Sequence, residues 1–510
     1  MRVDVRPVNR LRGQDPVKVT LALGPVIEAL CSSEVDLSRL SVVCDWIQYR
    51  SSFREVADYR PVLAPWRGGT DPGGADPGGQ AADQAAQHDQ PAESALEMAI
   101  DLRRCDSADL RTVISALLDE HEHPNSSTRV PLEPWVAGRH SCIWRFNALY
   151  WQDLSLWEQA SGRDYEQALP GGESDARNTA AVRDLILEIF KTWDDLDARS
   201  ALPPELYVVE LGVGNGNQAR TWLDEFVELS RAHSRDYYRR LHYIMGDYSP
   251  HVLGRALKAV AHHGDHVSAL VVDATHPAVS LGFLRGKAFL VYISNVYDNL
   301  PSDEVARIGG HVYQVEARAH LPGADALRIA RQFSAPAGRI PELTGKLLRL
   351  GPELLCEAMP QYFGDIGQAV AFWREVWAAL RLQERYRPLE GLDEYQVAPD
   401  LTGELLRSQL ESHGDIRVHV NNGALSSFAE TLPLLHPFGR LQCHDLFVDD
   451  VRRYHTGFFG PGKYDGSVVN WVNGPLLRHI GGRAGYDVRI SPFAQRPSSN
   501  IKTLTAAVQD

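Results

Sequence analysis

Four short apolar runs, each closing on polar residues, set the pattern of the middle of this chain. Tyr207 to Leu211 runs into Gly212-Val213-Gly214-Asn215-Gly216, and Leu241 to Met245 runs into Gly246-Asp247-Tyr248-Ser249-Pro250. Val267 to Val272 ends in Asp273-Ala274-Thr275, and Ala288 to Ile293 ends in Ser294-Asn295-Val296-Tyr297-Asp298-Asn299-Leu300-Pro301. Runs of this length predict buried strands. Over residues 217–235, Ala219, Trp222, Leu223, Phe226 and Leu229 recur at helical spacing, so the first two strands flank a helix. The unit predicted is a doubly wound α/β sheet, in which strand C-termini line one crevice.

Later segments extend that sheet. Arg440 to Phe447 predicts a fifth strand ending near His444 and Asp445, and Tyr486 to Phe493 with Ile501 to Val508 predicts an antiparallel closing pair. Around this core, residues 1–66 predict a helical N-terminal region, with a helix over Val19 to Leu30 and an aromatic patch of Trp46, Tyr49 and Phe53. Residues 67–92, with two Asp-Pro-Gly-Gly repeats, cannot bury enough apolar surface to offset ordering and predict a flexible low-complexity linker. Residues 93–139 predict a helical connector (helix over Ser94 to Leu118), 140–301 the main part of the core, and 416–510 its C-terminal part. Between these, residues 302–415 predict a helical insertion with amphipathic segments Pro352 to Met359 and Gly367 to Leu382. The stripe Phe372, Trp373, Val376, Trp377 and Leu380 predicts core packing, and an insertion after a strand C-terminus suits a substrate lid.

The glycines carry the chemistry. Gly212, Gly214 and Gly216 suit a tight strand-to-helix turn that needs positive φ or close approach of a ligand. A dinucleotide fingerprint would place a glycine at 217, where Asn217 stands, and no Gly-Lys-Ser/Thr follows as a phosphate loop requires. The spacing is Glu-x-Gly-x-Gly-x-Gly, and an acid at Asp247 ends the second strand, where a carboxylate can accept both hydroxyls of a ribose.

In this order the glycine loop, Asp247, Asp273 and a polar segment after the fourth strand resemble class I S-adenosylmethionine (SAM)-dependent methyltransferases. The resemblance implies a seven-stranded Rossmann-like sheet with SAM as cofactor. Glu210, Gly212, Gly214 and Gly216 would hold the methionine part and the turn, Asp247 the ribose, and Asp273 with Ala274 the adenine edge. Tyr248, Ser249 and Ser294 complete the cofactor-binding set. A narrower resemblance rests on Phe146-Asn147-Ala148-Leu149-Tyr150, Gly162-Arg163-Asp164-Tyr165, Asp298-Asn299-Leu300-Pro301, Ile416-Arg417-Val418-His419-Val420-Asn421 and Val469-Asn470-Trp471-Val472-Asn473. These motifs are similar to those of the MidA-like family, which includes a mitochondrial enzyme that methylates an arginine of a complex I subunit. Three acidic positions of that family's pattern are absent, with Ser294-Asn295, His419 and Asn473 in their places. A guanidinium acceptor wants carboxylates to grip its fork, so the losses argue against arginine.

Methyl transfer from a sulfonium needs an aligned neutral nucleophile and, for a hydroxyl or amine, a base. The candidate catalytic residues are His419 and His444, supported by Asp298, Tyr297 and Asp445. Candidate substrate contacts are Asn295, Trp471, Asn473 and Tyr165. The function expected is methyl transfer to an O or N acceptor of a small molecule or peptide. An arginine methyltransferase of the MidA-like type and a catalytically silent assembly or binding protein stay open.

Composition narrows the partners. The 510 residues are 44% hydrophobic and 23% charged, as in soluble globular proteins. A formal charge of −14 without a Lys/Arg run speaks against nucleic acid. Six scattered cysteines show neither a C-x-x-C pair nor zinc-ligand spacing, so reduced thiols and no metal are expected. With no signal segment and no apolar run near 18 residues, a cytoplasmic protein without membrane contact is expected. The excess of Arg over Lys suggests a GC-rich bacterial source, and the N-terminal region suggests a homodimer contact.

Overall fold

The computed structural model describes residues 2–5, 16–44, 53–64, 93–101, 107–123, 128–165, 179–412, 414–455, 460–497 and 499–509. The predicted linker 67–92, together with Trp46 and Tyr49, lies outside the described residues.

The first sheet is built from β1 (Leu206–Leu211), followed by helix α1 (Asn217–Ala232), then β2 (Leu241–Asp247), helix α2 (Pro250–Ala259), β3 (Val267–Val271), β4 (Ala288–Ser294), β5 (Leu435–Asp445), β6 (Tyr486–Pro492) and β7 (Lys502–Val508). The strand order is β3-β2-β1-β4-β5-β7-β6. β1 to β5 pair in parallel and β7 runs antiparallel to both β5 and β6. This is the order and direction of a class I methyltransferase sheet. Parallel strands covered on both faces need apolar side chains on both. Accordingly Val208, Tyr243, Phe289 and Tyr292 pack on one side with α1 and the helix Thr179–Ala198. Val209, Leu211, Val291 and Ile293 pack on the other with the helices Asn422–Thr431 and Gly474–Arg483.

A second, ten-stranded sheet was not foreseen. Its main path runs Arg2–Val5, Leu40–Cys44, Glu93–Ile100, Ala57–Leu63, Arg381–Pro388, His311–Pro322, Asp303–Ile308, Ile416–Val420. Three parts read as helical therefore also supply strands. Residues 1–66 keep a helix at Pro16–Cys31 but add three strands, and Ser94 to Leu118 divides into the strand Glu93–Ile100 and the helix Ser107–Glu122. Glu-Ser-Ala-Leu-Glu-Met-Ala-Ile favours helix by propensity, but Leu96, Met98 and Ile100 alternate into one apolar cluster, and pairing on both edges decides for strand. The insertion 302–415 contains the helices Gly323–Gln332, Ile340–Ala358 and Ile366–Ala379, and also three strands of this sheet. Ile416–Val420, expected in the core sheet, pairs antiparallel with Asp303–Ile308 instead. Among the described residues no helix is long and apolar enough to cross a membrane.

The insertion's helices pack with Cys142–Gln152 and Leu154–Ser161 in an aromatic cluster that includes Phe372, Trp373, Val376 and Trp377, the core role read from their spacing. Trp157 and Trp373 meet at 4.8 Å and Phe53 stands edge-on to Trp377 at 5.4 Å. Val252 of α2 joins this cluster, and Arg255 of α2 pairs with Glu158 at 2.8 Å, so the helical layer is tied to the crevice side of the sheet.

Candidate functional site

β1 delivers the chain into a turn where all three glycines are left-handed, with φ of 74° at Gly212, 57° at Gly214 and 80° at Gly216. A Cβ at Gly212 would strike the Val296 side chain, one at Gly214 would lie 2.6 Å from the Tyr165 hydroxyl, and one at Gly216 would lie 2.6 Å from the Ala256 Cα. Each glycine is thus required twice, by φ and by close approach. Gly216→Ala must both adopt the left-handed region, at about 1–2 kcal/mol, and displace α2 backbone, so a loss of at least about 2 kcal/mol is expected. An unchanged urea midpoint would refute that assignment.

Asp247 ends β2 beside this turn. Its carboxylate accepts the Gly214 N–H at 3.2 Å and the Ser249 N–H at 3.1 Å. Burial pushes its pKa up to about 6 while the backbone N–H groups pull it down. Tyr248 is exposed next to it, and Asp273 folds back on its own turn, accepting the Thr275 N–H at 2.8 Å, with Ala274 half-buried between them. The C-termini of β1, β2 and β3 therefore bring the glycine loop, Asp247, Tyr248, Asp273 and Ala274 to one edge of the sheet.

Two expected cofactor residues have structural duties. Glu210 is buried and accepts from the Tyr243 hydroxyl at 2.6 Å, and burial pushes its carboxyl up to about 8 against that hydrogen bond. Ser249 caps α2, its hydroxyl accepting the Val252 N–H at 3.3 Å.

After β4 the chain turns sharply. Ser294 lies opposite His444 in register, Asn295 takes a φ of 52° and donates its N–H to the His444 carbonyl at 2.9 Å, and Val296 covers Gly212. Asp445 at the end of β5 holds the turn, accepting the N–H groups of Tyr297 at 2.8 Å and Asp298 at 3.3 Å. Asp298 and Asp445 are both buried. Burial first, then the Asp445 charge, raises Asp298 well above the carboxylate range, and burial pushes Asp445 up to about 6. Burial and the Asp445 charge together disfavour an ionised Asp298 carboxylate, and its oxygen accepts the Asn299 amide at 2.6 Å. Tyr297 is fully buried in the core.

The two histidines part company. His444 sits at the strand ends, with Nδ1 3.0 Å from the Thr503 hydroxyl, Nε2 3.1 Å from the Gln442 amide and Phe493 edge-on at 4.9 Å. His419 belongs to the second sheet, buried with Nε2 3.9 Å from Glu304 and Tyr454 edge-on at 5.6 Å. The strand that carries it pairs outside the first sheet, so motif order alone does not bring it to the crevice at the ends of β1 to β4.

The remaining motif residues form a buried asparagine lattice. The Asn147 amide donates to the Asn299 carbonyl at 2.8 Å, Asn470 N–H donates to the Asp298 carbonyl at 2.9 Å, and the Asn421 amide donates to the Trp471 carbonyl at 3.0 Å. Asn473, expected to contact substrate, caps the helix Gly474–Arg483 and donates its amide to the His419 carbonyl at 2.8 Å. Trp471 is buried, with Arg453 5.6 Å from its ring centroid. These residues fasten the helical layer and both sheets around the turn after β4. Tyr165 does reach the loop, its hydroxyl accepting the Asn215 N–H at 3.2 Å while its ring stands edge-on to Trp151 at 5.7 Å. Val296 and Asn215 were not anticipated, since neither carries chemistry that a sequence pattern marks.

A separate cavity of about 410 Å³ is lined by Trp157, Arg374, Trp377, Lys463 and Asp465 and by no residue of the glycine turn after β1. The Lys463 ammonium there donates to the carbonyls of Trp377 at 2.6 Å, Ala378 at 3.0 Å and Leu380 at 2.7 Å, closing the end of the helix Ile366–Ala379.

No protein-family profile matches the chain, and no curated protein matches it. Solved structures similar to it include one from Burkholderia thailandensis bound to S-adenosyl-homocysteine, at 12% identity over 73% of this chain and 88% of that one, with a TM-score of 0.42. Another from the same organism, an uncharacterized protein, is 12% identical over 73% of this chain and 87% of that one, with a TM-score of 0.40. The CcbJ methyltransferase of Streptomyces caelestis is 11% identical over 72% of this chain and 99% of that one, with a TM-score of 0.32.

Proposed function

We propose that the protein is a SAM-dependent methyltransferase acting on an O or N acceptor of a small molecule or peptide. The observation that carries this reading is the coincidence of the strand order β3-β2-β1-β4-β5-β7-β6 with a left-handed glycine turn after β1 and a carboxylate after β2. The donor set suits the cofactor. A carboxylate offers about four lone-pair positions, and while it accepts the backbone N–H groups of Gly214 and Ser249, Asp247 keeps capacity for a ribose diol. Asp273 and Ala274 would border the adenine and Ser294 to Val296 the methionine end. When bound, the cofactor supplies an electrophilic methyl on a sulfonium.

The chain's own contribution would be positioning. Tyr165, through Asn215, covers the glycine loop, and Asp445 sets the turn that presents Asn295 and Val296. Aligning acceptor and methyl while excluding water provides most of the acceleration such a displacement needs. Asp298 is buried and already accepts the Asn299 amide at 2.6 Å, so it offers a guanidinium little grip, which supports a neutral acceptor over arginine.

A second reading, cofactor binding without turnover, has one observation in its favour. Asp298 and His419 are both buried in contacts of their own, and His444 is engaged through both ring nitrogens. Calorimetry with SAM and S-adenosyl-homocysteine tests the cofactor, and binding of neither would end the central proposal. Transfer of labelled methyl from SAM into amine, hydroxyl or peptide pools separates the readings. Labelled arginine would revive the arginine enzyme, and tight binding with no labelled product would favour the silent protein.

A further inference from the structure

Away from the crevice, three metal-ligating side chains from two chain segments meet on the outer side of α1. Asp224 lies in the middle of that helix, and His262 and His263 lie in the 3-10 turn Ala261–His266 that follows α2. Both rings aim Nε2 at the same carboxylate oxygen, His262 at 2.8 Å and His263 at 3.0 Å, and the three atoms lie within 4.8 Å of one another. The three atoms that converge there can be joined either by the ring N–H groups of neutral imidazoles or by a metal ion that takes the ring protons' place.

We propose that Asp224, His262 and His263 bind a divalent metal ion of the zinc class. Ligand chemistry selects the ion, because two imidazoles and one carboxylate suit Zn²⁺, Co²⁺, Ni²⁺ or Cu²⁺, whereas Mg²⁺ and Ca²⁺ want oxygen sets. The two carboxylate–imidazole distances need little adjustment. Tetrahedral ligands at about 2.0–2.2 Å from zinc stand roughly 3.3 Å apart, so the Asp224 carboxylate has to open by only a few tenths of an ångström. Asp224 and His262, with side-chain exposures of 52% and 54%, are free to do so, while His263, at 5%, is the fixed member. Behind it stands the outer partner that zinc-bound histidines carry, the Tyr238 hydroxyl 2.6 Å from Nδ1, which orients the ring and leaves Nε2 for the metal. The exposed side would be completed by solvent.

Position gives the ion a role. The N-terminus of α1 follows the glycine loop and the N-terminus of α2 follows Asp247, so a metal joining α1 to the turn beyond α2 braces the two helices that frame the crevice. Separated by 38 and 39 residues, these ligands make no local motif.

The test uses the full chain, free of any affinity tag and stripped with chelator, titrated with Co²⁺ or Zn²⁺ alone. One equivalent of Co²⁺ should give a visible d–d band that Zn²⁺ displaces, and Zn²⁺ should raise the melting temperature. His262→Ala and Asp224→Asn, both at exposed positions, should keep the metal-free melting temperature but lose that equivalent, binding about tenfold or more weakly. The proposal fails if the wild-type chain binds no Zn²⁺ at hundredfold excess, or if His262→Ala and Asp224→Asn retain wild-type affinity and spectrum.

Discussion

Asp247→Ala is expected to weaken SAM binding by roughly 100-fold, about 2.8 kcal/mol, while the chain stays folded. The size follows from what the side chain offers. A hydrogen bond to a charged group contributes about 1.5–3 kcal/mol, and a ribose diol would make two to this carboxylate. The same carboxylate ties Gly214 to the end of β2, so part of the loss would come from a looser loop. The pH dependence separates the two effects. With its pKa pushed up to about 6, Asp247 gains charge between pH 5 and 7, so wild-type affinity should rise by about tenfold over that range and the variant's should stay flat. The stability sign is opposite. The folded chain keeps a proton that the unfolded chain releases, so between about pH 4 and 6 the Asp247 contribution to stability falls as pH rises. Calorimetry across pH reads the first and urea melts without ligand read the second. Equal affinity of wild type and variant at pH 7 would remove Asp247 from the site.

Glu384→Ala should be the most destabilising single change, at about 3–5 kcal/mol. Glu384 on the strand Arg381–Pro388 accepts from Arg54 at 2.7 Å and from Arg417 at 2.9 Å, and pairs with Arg60 at 3.0 Å. Arg60 also meets Glu97 at 2.6 Å and Arg417 meets Glu304, so three buried arginines face three buried glutamates. Removing the shared acid leaves guanidinium charge buried without its partner, which costs far more than the intact cluster contributes. Burial alone would raise the Glu384 pKa, but Arg417 and Arg60 outweigh it and hold it below the usual glutamate value. Its stabilisation is therefore present above about pH 4.5 and is lost as pH falls through the lowered folded pKa. Glu384→Gln should flatten that acid limb in urea melts, and a variant within 1 kcal/mol of wild type at pH 7 would show that the cluster does not hold the second sheet together.

That cluster marks the limit of what the chain pattern could reveal. Arg54 and Arg60 precede the linker, Glu304 and Glu384 lie in the insertion and Arg417 follows it, so each reads locally as a solvated charge. Only pairing of the strands Ala57–Leu63, Arg381–Pro388, Asp303–Ile308 and Ile416–Val420 brings them together. Arg417 and His419 share one strand face, which is how a histidine read as a base became a neighbour of Glu304. Asn473 and Ser249 cap helices in the fold, and the chain pattern cannot separate that role from ligand contact because helix caps and binding residues draw on the same side chains. In contrast, the aromatic stripe of Phe372 to Trp377 was legible, since periodic burial is a local property.

The seven-strand core, its glycine turn and Asp247 could be read from the chain because short-range rules govern them: apolar runs make strands, positive φ demands glycine, and parallel strands end on one edge. The partner of each polar side chain could not. Whether a histidine faces a cofactor crevice, an arginine cluster or another histidine depends on contacts between residues tens to hundreds of positions apart. The second sheet and the meeting of Asp224 with His262 and His263 arise from such long-range pairing, chosen by burial and charge balance over the whole fold.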